Sequence, residues 1–395
     1  MLPTNAPTGR SVSRPEDRTG AILTIDLAAL VENWRILKKR AAPGCDVGAV
    51  VKADAYGLGL EQVASALKLA GCQTFYVAHL DGAIALRQII GPGPRIACLN
   101  GPNKGTERDY VAFRIMPVLS TPEHVKAWRA FAQKEEVLLE SVVQVDTGMN
   151  RLGISEREFA QMVSDPEGFL GLHPQIFMSH LACADDAAHP MNKAQLERFV
   201  PMLASFRTRF PDAKASLANS SGVFLAPAWH FNFARPGIAL YGVNPTPAQV
   251  NPMLPVVNLK ARIIQVRRVD TPGSVGYGAA SPAREGSKLA TVSMGYADGY
   301  LRSLGSSGFG ILDGLKVPVV GRVSMDLTTY DVSNVPDSAT LPGSFIDIIS
   351  HAVTIDDVAR AAGTIGYEIL TALGNRFHRR YLPASTPSAA RGRES

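Results

Sequence analysis

The feature that most constrains the fold is an alternation of short apolar runs with amphipathic stretches, which extends from about residue 22 to residue 243. Runs such as VGAVVKA, TFYVAHL and QIFMSHLA are each followed by a helical stretch or a turn. Strands that are apolar along their whole length are typical of parallel sheets covered on both faces. About eight such runs in succession predict an α/β fold, and a closed (β/α)8 barrel of the TIM type is the most economical arrangement.

Two of the helices have clear start signals. The stretch LAALVENWRILKKRA follows Asp26, and TPEHVKAWRAFAQK has Thr121 before Pro122. A short polar side chain at this place accepts a hydrogen bond from a free N–H group of the first turn, and proline suits the first helical position. We therefore expect helices that begin directly after Asp26 and Thr121.

The pattern changes after Gly242. Segments such as VNLKARIIQVRRV and KLATVSM alternate and are separated by turns, which is typical of antiparallel strands. We expect one helix to interrupt them, capped by Thr354 with Asp357. Its predicted inward residues are Val358, Ile365, Ile369 and Leu373.

These patterns divide the chain into four parts. We expect a flexible tail over residues 1–19, the barrel over 20–243, a β-rich domain over 244–382 and a second flexible tail over 383–395. Both tails are rich in Pro, Ser, Thr and charged residues, a composition that does not favour a packed core. The first strand, near residue 22, is a candidate partner for the sheet of the β-rich domain.

Composition and charge exclude several classes of protein. The net charge is +5, but five arginines and one glutamate lie in residues 376–395, so the body of the chain has no strong basic surface for nucleic acid. No apolar stretch is long enough to span a membrane, and the N-terminus has no secretory signal, so we expect a cytoplasmic protein. The cysteines have no CxxC pair and predict neither disulfides nor a zinc site; we expect all four, Cys45, Cys72, Cys98 and Cys183, to be buried.

Polar residues at the ends of the apolar runs indicate the active site, because parallel barrels place it at the carboxyl ends of their strands. These residues are Lys52, Asn100, Arg151, His180, Asn219, Ser220 and Arg235. Such a set suits a phosphorylated, electron-withdrawing cofactor better than a metal. Lys52 ends an apolar strand, where a Schiff base with an aldehyde would remove its charge. The alternative is a lysine that extends to the solvent at the rim.

The segment AVVKADAYGLG resembles the pyridoxal-phosphate lysine signature of the alanine racemase family. The resemblance continues in order through VDTGMNRLG, MSHLACAD, ANSSG, RPGIALYG, VGYGA, MGYADGY, GRVSMD and IGYEILTALGNRFHRRY. These nine motifs cover roughly residues 20–382. The resemblance implies a fold-type III enzyme that interconverts L-alanine and D-alanine with pyridoxal phosphate by a two-base mechanism, either to supply D-alanine for peptidoglycan or to degrade it.

The family resemblance also implies a role for each cofactor residue. Lys52 would bind the cofactor, Arg235 would face the pyridine nitrogen and limit its protonation, His180 would stack beside the ring, and Arg151 would reach the phenolic oxygen. The remaining cofactor-binding residues are Tyr56, Asn219, Ser220, Gly237, Ile238 and Tyr367, most of them around the phosphate.

Racemisation needs acid/base groups on both faces of the α-carbon. The resemblance assigns Lys52 to one face and Tyr277 to the other, with Tyr277 entering from the second subunit of a homodimer. Free tyrosine has a pKa of ~10, so we expect His180 and Arg235 to provide a cationic neighbourhood. The family pattern also implies substrate-binding residues, which are Arg151, Tyr296, Met325 and Asp326. Taken without the resemblance, the GYG around Tyr277 could be only a turn.

Other functions stay open at this stage. The same enzyme class acts on serine, lysine or other amino acids, and small differences in a pocket decide between them. A non-catalytic pyridoxal-phosphate carrier uses a similar barrel but lacks the β-rich domain, and the motifs of barrel-type amino-acid decarboxylases differ from these. The expected partners are a small amino acid and a second copy of the chain.

One position departs from the family pattern. Many members have a lysine two residues before the VDTG aspartate, and its carbamate aligns the arginine of the motif. Here that position is Gln144, which cannot be carbamylated. We expect Gln144 to help hold Arg151 by hydrogen bonding; the alternative is that it only fills space.

Overall fold

The structure is a computed structural model that describes residues 13–384. Of the predicted flexible tails, residues 1–12 and 385–395 lie outside the described residues, whereas residues 13–19 and 383–384 are described. It contains two compact units. One extends over Asp26–Val256, and the other combines residues 13–25 with Val257–Tyr381. A short 3-10 turn at Pro15–Asp17 precedes the first strand, β1 (Ala21–Asp26).

The first unit is a parallel β-barrel. Its strand segments are β2 (Asp46–Val47), β3 (Ala49–Val50), β4 (Thr74–Val77), β5 (Arg95–Cys98), β6 (Met116–Leu119), β7 (Leu139–Gln144), β8 (Leu172–Met178), β9 (Lys214–Ser216) and β10 (Phe233–Ala234). Only Gly48 separates β2 from β3, so the two segments occupy one position of the ring. Strand β10 pairs with β2, β3 pairs with β4, and the strands between pair in chain order, all parallel. This closed arrangement confirms the predicted (β/α)8 barrel.

In the barrel unit, one helix precedes the first barrel strand and the other helices follow strands β3 to β8. In chain order the helices are α1 (Leu27–Arg40), α2 (Lys52–Gly57), α3 (Leu60–Leu69), α4 (Leu80–Ile90), α5 (Glu107–Ala112), α6 (Pro122–Glu135), α7 (Glu156–Ser164) and α8 (Pro190–Arg207). The two predicted starts are confirmed: Asp26 accepts a hydrogen bond from the Ala29 N–H group at 2.9 Å, and Thr121 accepts one from His124 at 3.1 Å. No helix in the part of the chain that the structure describes is long and apolar enough to cross a bilayer.

Burial on both faces explains the apolar runs. Every residue of β4 and of β6 is buried. Phe177 on β8 stacks against Phe199 and Phe206 on α8, with ring centroids 5.4 and 4.7 Å apart. Large aromatic side chains contribute much of the apolar area of a core, so this cluster holds α8 firmly against the barrel wall.

The second unit is mostly β-structure. Its elements are β11 (Val257–Arg268), β12 (Gly273–Val275), β13 (Ser281–Ala283), β14 (Lys288–Val292), β15 (Phe309–Leu312), β16 (Leu315–Pro318), β17 (Thr328–Asp331), β18 (Phe345–Ile349), α9 (Ile355–Ala362), α10 (Gly366–Ala372) and β19 (His378–Leu382). The largest sheet has the order β16-β15-β18-β11-β1-β19, and β14 joins β11 to β17. Strand β1 pairs antiparallel with β11, with Ala21 opposite Ala261.

The prediction of one helix after Thr354 is wrong in extent. The Thr354–Asp357 capping box is present, but α9 ends at Gly363, whose φ of 71° lies in the left-handed region. A second helix, α10, begins after Ile365. Ile365 is 61% exposed rather than buried, because it lies at the junction between the helices.

The cysteine prediction holds for three of the four residues. All four are free thiols; Cys45, Cys72 and Cys98 are buried, while Cys183 is only half-buried. Burial raises the pKa of the Cys45 thiol to about 11 and that of Cys72 to about 12, which keeps both protonated at neutral pH.

Candidate active site

Lys52 lies at the carboxyl end of the first barrel strand, as predicted. The N–H group of the preceding residue, Val51, donates to the Tyr76 carbonyl oxygen on β4 at 2.9 Å. The next four residues, Ala53 to Tyr56, belong to α2 and form a left-handed turn rather than a right-handed helix, with φ between 53° and 57°. Each non-glycine residue in this conformation costs roughly 1–2 kcal/mol, and such strain is concentrated at functional sites.

Asp54 stabilises this turn. Its carboxylate accepts a hydrogen bond from the Leu60 N–H group at 2.7 Å, and its carbonyl oxygen accepts one from Gly59 at 3.0 Å. The left-handed turn therefore leads directly into the first turn of α3. Loss of hydration next to surrounding protein atoms and the positive charge of Arg151 lower the pKa of Lys52, although the residue remains exposed. A larger fraction of neutral amine makes a lysine a better nucleophile.

Tyr56, Ser220 and Gly237 form a cradle beside this lysine strand. A Cβ atom placed on Gly237 would clash with the Tyr56 hydroxyl group, so a larger residue there would have to displace the Tyr56 ring. The Ser220 hydroxyl accepts hydrogen bonds from the N–H groups of Gly237 and Ala239, at 2.9 and 3.3 Å.

The chemistry of this cradle fits a phosphate group. Because the Ser220 oxygen accepts both of these bonds, its O–H group stays free to donate. The N–H group of Ile238 donates to no acceptor within residues 13–384. Converging hydroxyl and backbone N–H donors on a glycine turn are a common anion-binding arrangement.

Arg235 is buried at the end of β10. Its guanidinium donates to the Ser216 hydroxyl, to the Ser179 carbonyl oxygen at 2.6 Å and to His180 Nδ1 at 3.4 Å. A guanidinium has only donors, so His180 Nδ1 must accept and its proton must be on Nε2. Arg235 thus connects the ends of β8, β9 and β10 and fixes the tautomer of His180.

His180 is uncharged in this environment. Burial and the positive charges of Arg235, Arg151 and Lys52 lower its pKa to about 3. The expectation that His180 provides a positive charge is therefore wrong, and Arg235 alone of the expected pair is cationic. A neutral imidazole can still stack on a ring and accept a hydrogen bond.

Arg151 lies at the end of a rigid loop after β7. The Asp146 carboxylate accepts hydrogen bonds from the N–H groups of Gly148, Met149 and Asn150 at 2.8 to 2.9 Å. The loop returns to the strand where Ile154 donates to the Gln144 carbonyl oxygen at 2.9 Å. Arg151 itself is exposed, but the backbone that carries it has little freedom.

Gln144 contacts this loop through the backbone. Its amide nitrogen donates to the carbonyl oxygen of Leu152, the residue after Arg151, at 3.1 Å. Gln144 is 5% exposed, so the bond satisfies a buried donor. Its hydrogen bond thus acts on the backbone next to Arg151.

Asn219 has a local structural role in the structure. Its side-chain oxygen accepts a hydrogen bond from the Gly222 N–H group at 2.9 Å, and its nitrogen donates to the Leu181 carbonyl oxygen at 3.3 Å. It therefore holds the turn that presents Ser220 next to the end of β8.

The remaining predicted residues belong to the second unit. Tyr277 is 74% exposed on the turn between β12 and β13, and Tyr296, Met325 and Tyr367 are 42%, 54% and 42% exposed. The Tyr296 N–H group donates to the Ser324 carbonyl oxygen at 3.0 Å, which brings Tyr296 beside Met325 and Asp326. Tyr296, Met325 and Asp326 thus lie on adjacent turns.

Arg376 connects the two turns that carry these residues. It donates to Asp298 at 2.7 Å and to Asp326 at 2.8 Å. The other carboxylate oxygen of Asp298 accepts a hydrogen bond from Gly295 at 2.9 Å. The Asp326 carboxylate is thus occupied by an arginine.

Sequence reasoning missed Ser179, Ser216 and Arg376. Ser179 and Ser216 lie at or next to the ends of β8 and β9, the places where functional residues were sought, but serines in such positions are common. Arg376 lies within a recognised motif, yet its two carboxylate partners are distant in the chain. No local pattern could have revealed those contacts.

Comparison with known proteins decides the family. The family model described as "Alanine racemase, N-terminal domain" matches residues 25–245, and "Alanine racemase, C-terminal domain" matches residues 256–381. The chain belongs to the alanine racemase family. The resemblance that the nine motifs predicted is confirmed.

Individual members of the alanine racemase family match most of the chain. An alanine racemase of Rhodospirillum rubrum is 46% identical over 93% of this chain and 97% of its own length. A catabolic alanine racemase of Mesorhizobium japonicum is 45% identical over 96% and 98%. The crystal structure of the alanine racemase of Bartonella henselae, with covalently bound pyridoxal phosphate, superposes with a TM-score of 0.87 at 38% identity, over 92% of this chain and 99% of that one.

The low pKa of His180 predicts how stability changes with pH. In the unfolded chain histidine has a pKa of ~6.5, so below that pH the unfolded state takes up a proton that the folded state does not. The folded state therefore loses stability as the pH falls. Between pH 7 and pH 5 we expect the free energy of unfolding to fall by about 2 kcal/mol more in the natural protein than in the His180→Gln variant, measured by urea unfolding. An NMR titration of His180 with a midpoint near pH 6 would contradict this prediction.

The two ion pairs of Arg376 predict a loss of stability in Arg376→Met. The Asp298 side chain is 8% exposed, and without the guanidinium it would be a buried carboxylate with one remaining donor. We expect the free energy of unfolding, measured in urea titrations, to fall by about 2 kcal/mol. The control is Arg360→Met, whose pair with Asp357 is largely exposed and should contribute less than about 0.5 kcal/mol. Equal losses in both variants would show that Arg376 has no special role.

Proposed function

We propose that the protein interconverts L-alanine and D-alanine with pyridoxal phosphate bound at the carboxyl end of the barrel. The observation that carries this proposal is the convergence of Lys52, His180 and Arg235 beside the phosphate-type cradle of Ser220 and Gly237. The high identity to named alanine racemases over nearly the whole chain supports alanine as the substrate.

The residues of the barrel have distinct parts in holding the cofactor. Lys52 is the proposed point of covalent attachment, since its lowered pKa favours the reactive amine. Tyr56, the Ser220 hydroxyl and the N–H group of Ile238 would hold the phosphate at the Gly237 turn, with Tyr367 as a further hydroxyl. Arg235 would face the pyridine nitrogen, where its permanent charge opposes protonation.

The proposed proton transfers use two residues. Pyridoxal phosphate, when bound, withdraws electrons from the substrate α-carbon and makes its proton acidic. Lys52 Nζ would take or return that proton on one face, and the Tyr277 hydroxyl would do so on the other. Arg151 and the Tyr296–Met325–Asp326 surface would orient the substrate. Because the Asp326 side chain is itself a carboxylate, we assign attraction of the substrate carboxylate to the Arg151 guanidinium.

The proposal includes a homodimer in which Tyr277 completes the site of the other subunit. The 74% exposure of Tyr277 in the single chain fits this arrangement, because a side chain that completes the site of another subunit must lie at the surface. A shared site makes the dimer necessary for activity.

The central experiment tests whether Lys52 and Tyr277 act on opposite faces of the α-carbon. Purified protein should racemise L-alanine, and borohydride should link pyridoxal phosphate to the peptide that contains Lys52. In deuterated solvent, Tyr277→Phe should lose racemisation by about 100-fold or more yet still exchange the α-proton of one enantiomer through Lys52. Near-normal racemisation by this variant, or labelling of another lysine, would disprove the assignment.

Subunit mixing tests the shared site. Lys52→Ala and Tyr277→Ala should each be inactive alone, but hybrid dimers should have one complete site out of two. With random exchange, half of the dimers are hybrids, so we expect roughly a quarter of the natural activity to return. Hybrids that form, as shown by mass spectrometry, but stay inactive would exclude a site shared between subunits.

The glutamine at position 144 predicts that the activity of the protein does not depend on carbon dioxide. Because its amide holds the backbone beside Arg151 without a carbamate, bicarbonate-free buffer should leave the turnover of the natural protein unchanged. Gln144→Lys should instead become sensitive to bicarbonate, measured as kcat with and without it. Loss of activity by the unmodified protein after degassing would show that a carbamate forms on another lysine.

A further inference from the structure

Helix α8 carries a buried amide whose role the proposed function does not include. Gln195 has no exposed surface. A buried primary amide is unfavourable unless its donors and its acceptor are paired. All of the hydrogen bonds of this side chain go to two segments that lead to proposed site residues, one to His180 and the other to Arg151.

The first contact of Gln195 is with the backbone on both sides of Leu181, in the segment that follows β8. The Gln195 side-chain oxygen accepts a hydrogen bond from the Ala182 N–H group at 2.9 Å, and its nitrogen donates to the His180 carbonyl oxygen at 2.8 Å. In a parallel sheet, the peptide groups of one residue form this same pair of bonds with the residues before and after their neighbour on the next strand. Here that neighbour is Leu181. The amide therefore continues the strand pairing of β8 past its end at Met178 and fixes the backbone of His180.

The second contact reaches the loop after β7. The Gln195 nitrogen also donates to the Thr147 hydroxyl oxygen at 3.2 Å, and that oxygen lies 2.8 Å from the hydroxyl of Ser179. Thr147 and Ser179 are 1% and 2% exposed, so water does not compete with these bonds. Thr147 follows Asp146, whose carboxylate holds the turn that ends in Arg151.

Arg198 reinforces the same contact one turn later on the helix. It donates to the Thr147 carbonyl oxygen at 3.1 Å, and a Cβ atom on Gly148 would lie 2.5 Å from its nitrogen. Residues three apart share one face of a helix, so Gln195 and Arg198 act on Thr147 together. The stacking of Phe199 on Phe177 keeps this part of α8 in place against β8.

We propose that Gln195 is a positioning residue that fixes His180 and Arg151 relative to each other. One amide joins the two segments directly, so a shift of either segment strains the bonds to the other. Its importance for cofactor binding rests on the proposed function; the coupling of the two segments does not. Gln195 acts through backbone and hydroxyl groups and has no assigned contact with substrate or cofactor.

The test compares Gln195→Met, which keeps the side-chain length and removes the hydrogen bonds, with a matched control on the same helix. The control is Asn192→Leu; Asn192 is also buried, but its amide donates to the Asp186 carbonyl oxygen at 2.8 Å. Hydrogen exchange of the purified protein should become about tenfold faster in both segments, 146–151 and 178–183, for Gln195→Met. It should stay unchanged in both segments for Asn192→Leu.

A second variant separates the two contacts and serves if Gln195→Met does not fold. Thr147→Val removes the hydroxyl at nearly constant volume, and with it the contacts to Gln195 and to the Ser179 hydroxyl. The bonds of Gln195 to His180 and Ala182 remain, so exchange should accelerate in residues 146–151 and stay slow in residues 180–183. Unchanged exchange in residues 146–151, or the same acceleration in the Asn192→Leu control, would overturn the proposal.

A spectroscopic readout connects the coupling to the cofactor. In Gln195→Met the induced circular dichroism of bound pyridoxal phosphate should change and its affinity should fall by about tenfold, while Asn192→Leu keeps both. Normal dichroism and affinity in Gln195→Met would refute the positioning role. If the natural protein bound no pyridoxal phosphate, the proposed function would fail, and hydrogen exchange would still decide whether Gln195 couples the two segments.

Discussion

The carboxyl end of the barrel depends on the burial of one guanidinium. Arg235 is 4% exposed, and a charge so deep in a protein is tolerated only if its donors are paired. Its partners, Ser216, Ser179 and His180, lie at or directly after the ends of two neighbouring strands. Removing these hydrogen bonds would leave unpaired donors of a charged group in the core, so Arg235 stabilises the ends of β8 and β9 next to the end of its own strand, β10.

The electrostatic character of the barrel end follows from the same charge. Arg235, Arg151 and Lys52 all lower the pKa of His180, which leaves a neutral imidazole among three basic side chains. The positive potential of such a group favours anionic ligands. A phosphorylated cofactor and the carboxylate of an amino acid both meet this requirement, whereas a metal cation does not.

Charged side chains hold the loops that carry the proposed site residues. The left-handed turn after Lys52 is stabilised by Asp54, and the turn before Arg151 is stabilised by Asp146. In the second unit Arg376 performs a similar function for the turns that carry Tyr296 and Asp326. In each case a charged side chain forms hydrogen bonds or ion pairs with backbone or carboxylate groups of the loop, which limits the freedom of the loop that carries a proposed site residue.

The sequence by itself determined the barrel, the helix starts at Asp26 and Thr121, and the position of Lys52, because strand burial, capping and motif spacing are local properties of the chain. Tertiary structure decided the properties that depend on groups distant in sequence. The charge state of His180 is set by burial and by Arg235, 55 residues further along the chain. The roles of Gln195 and Arg376 depend on hydrogen-bond partners that no local pattern encodes, since these meet only when the chain has folded.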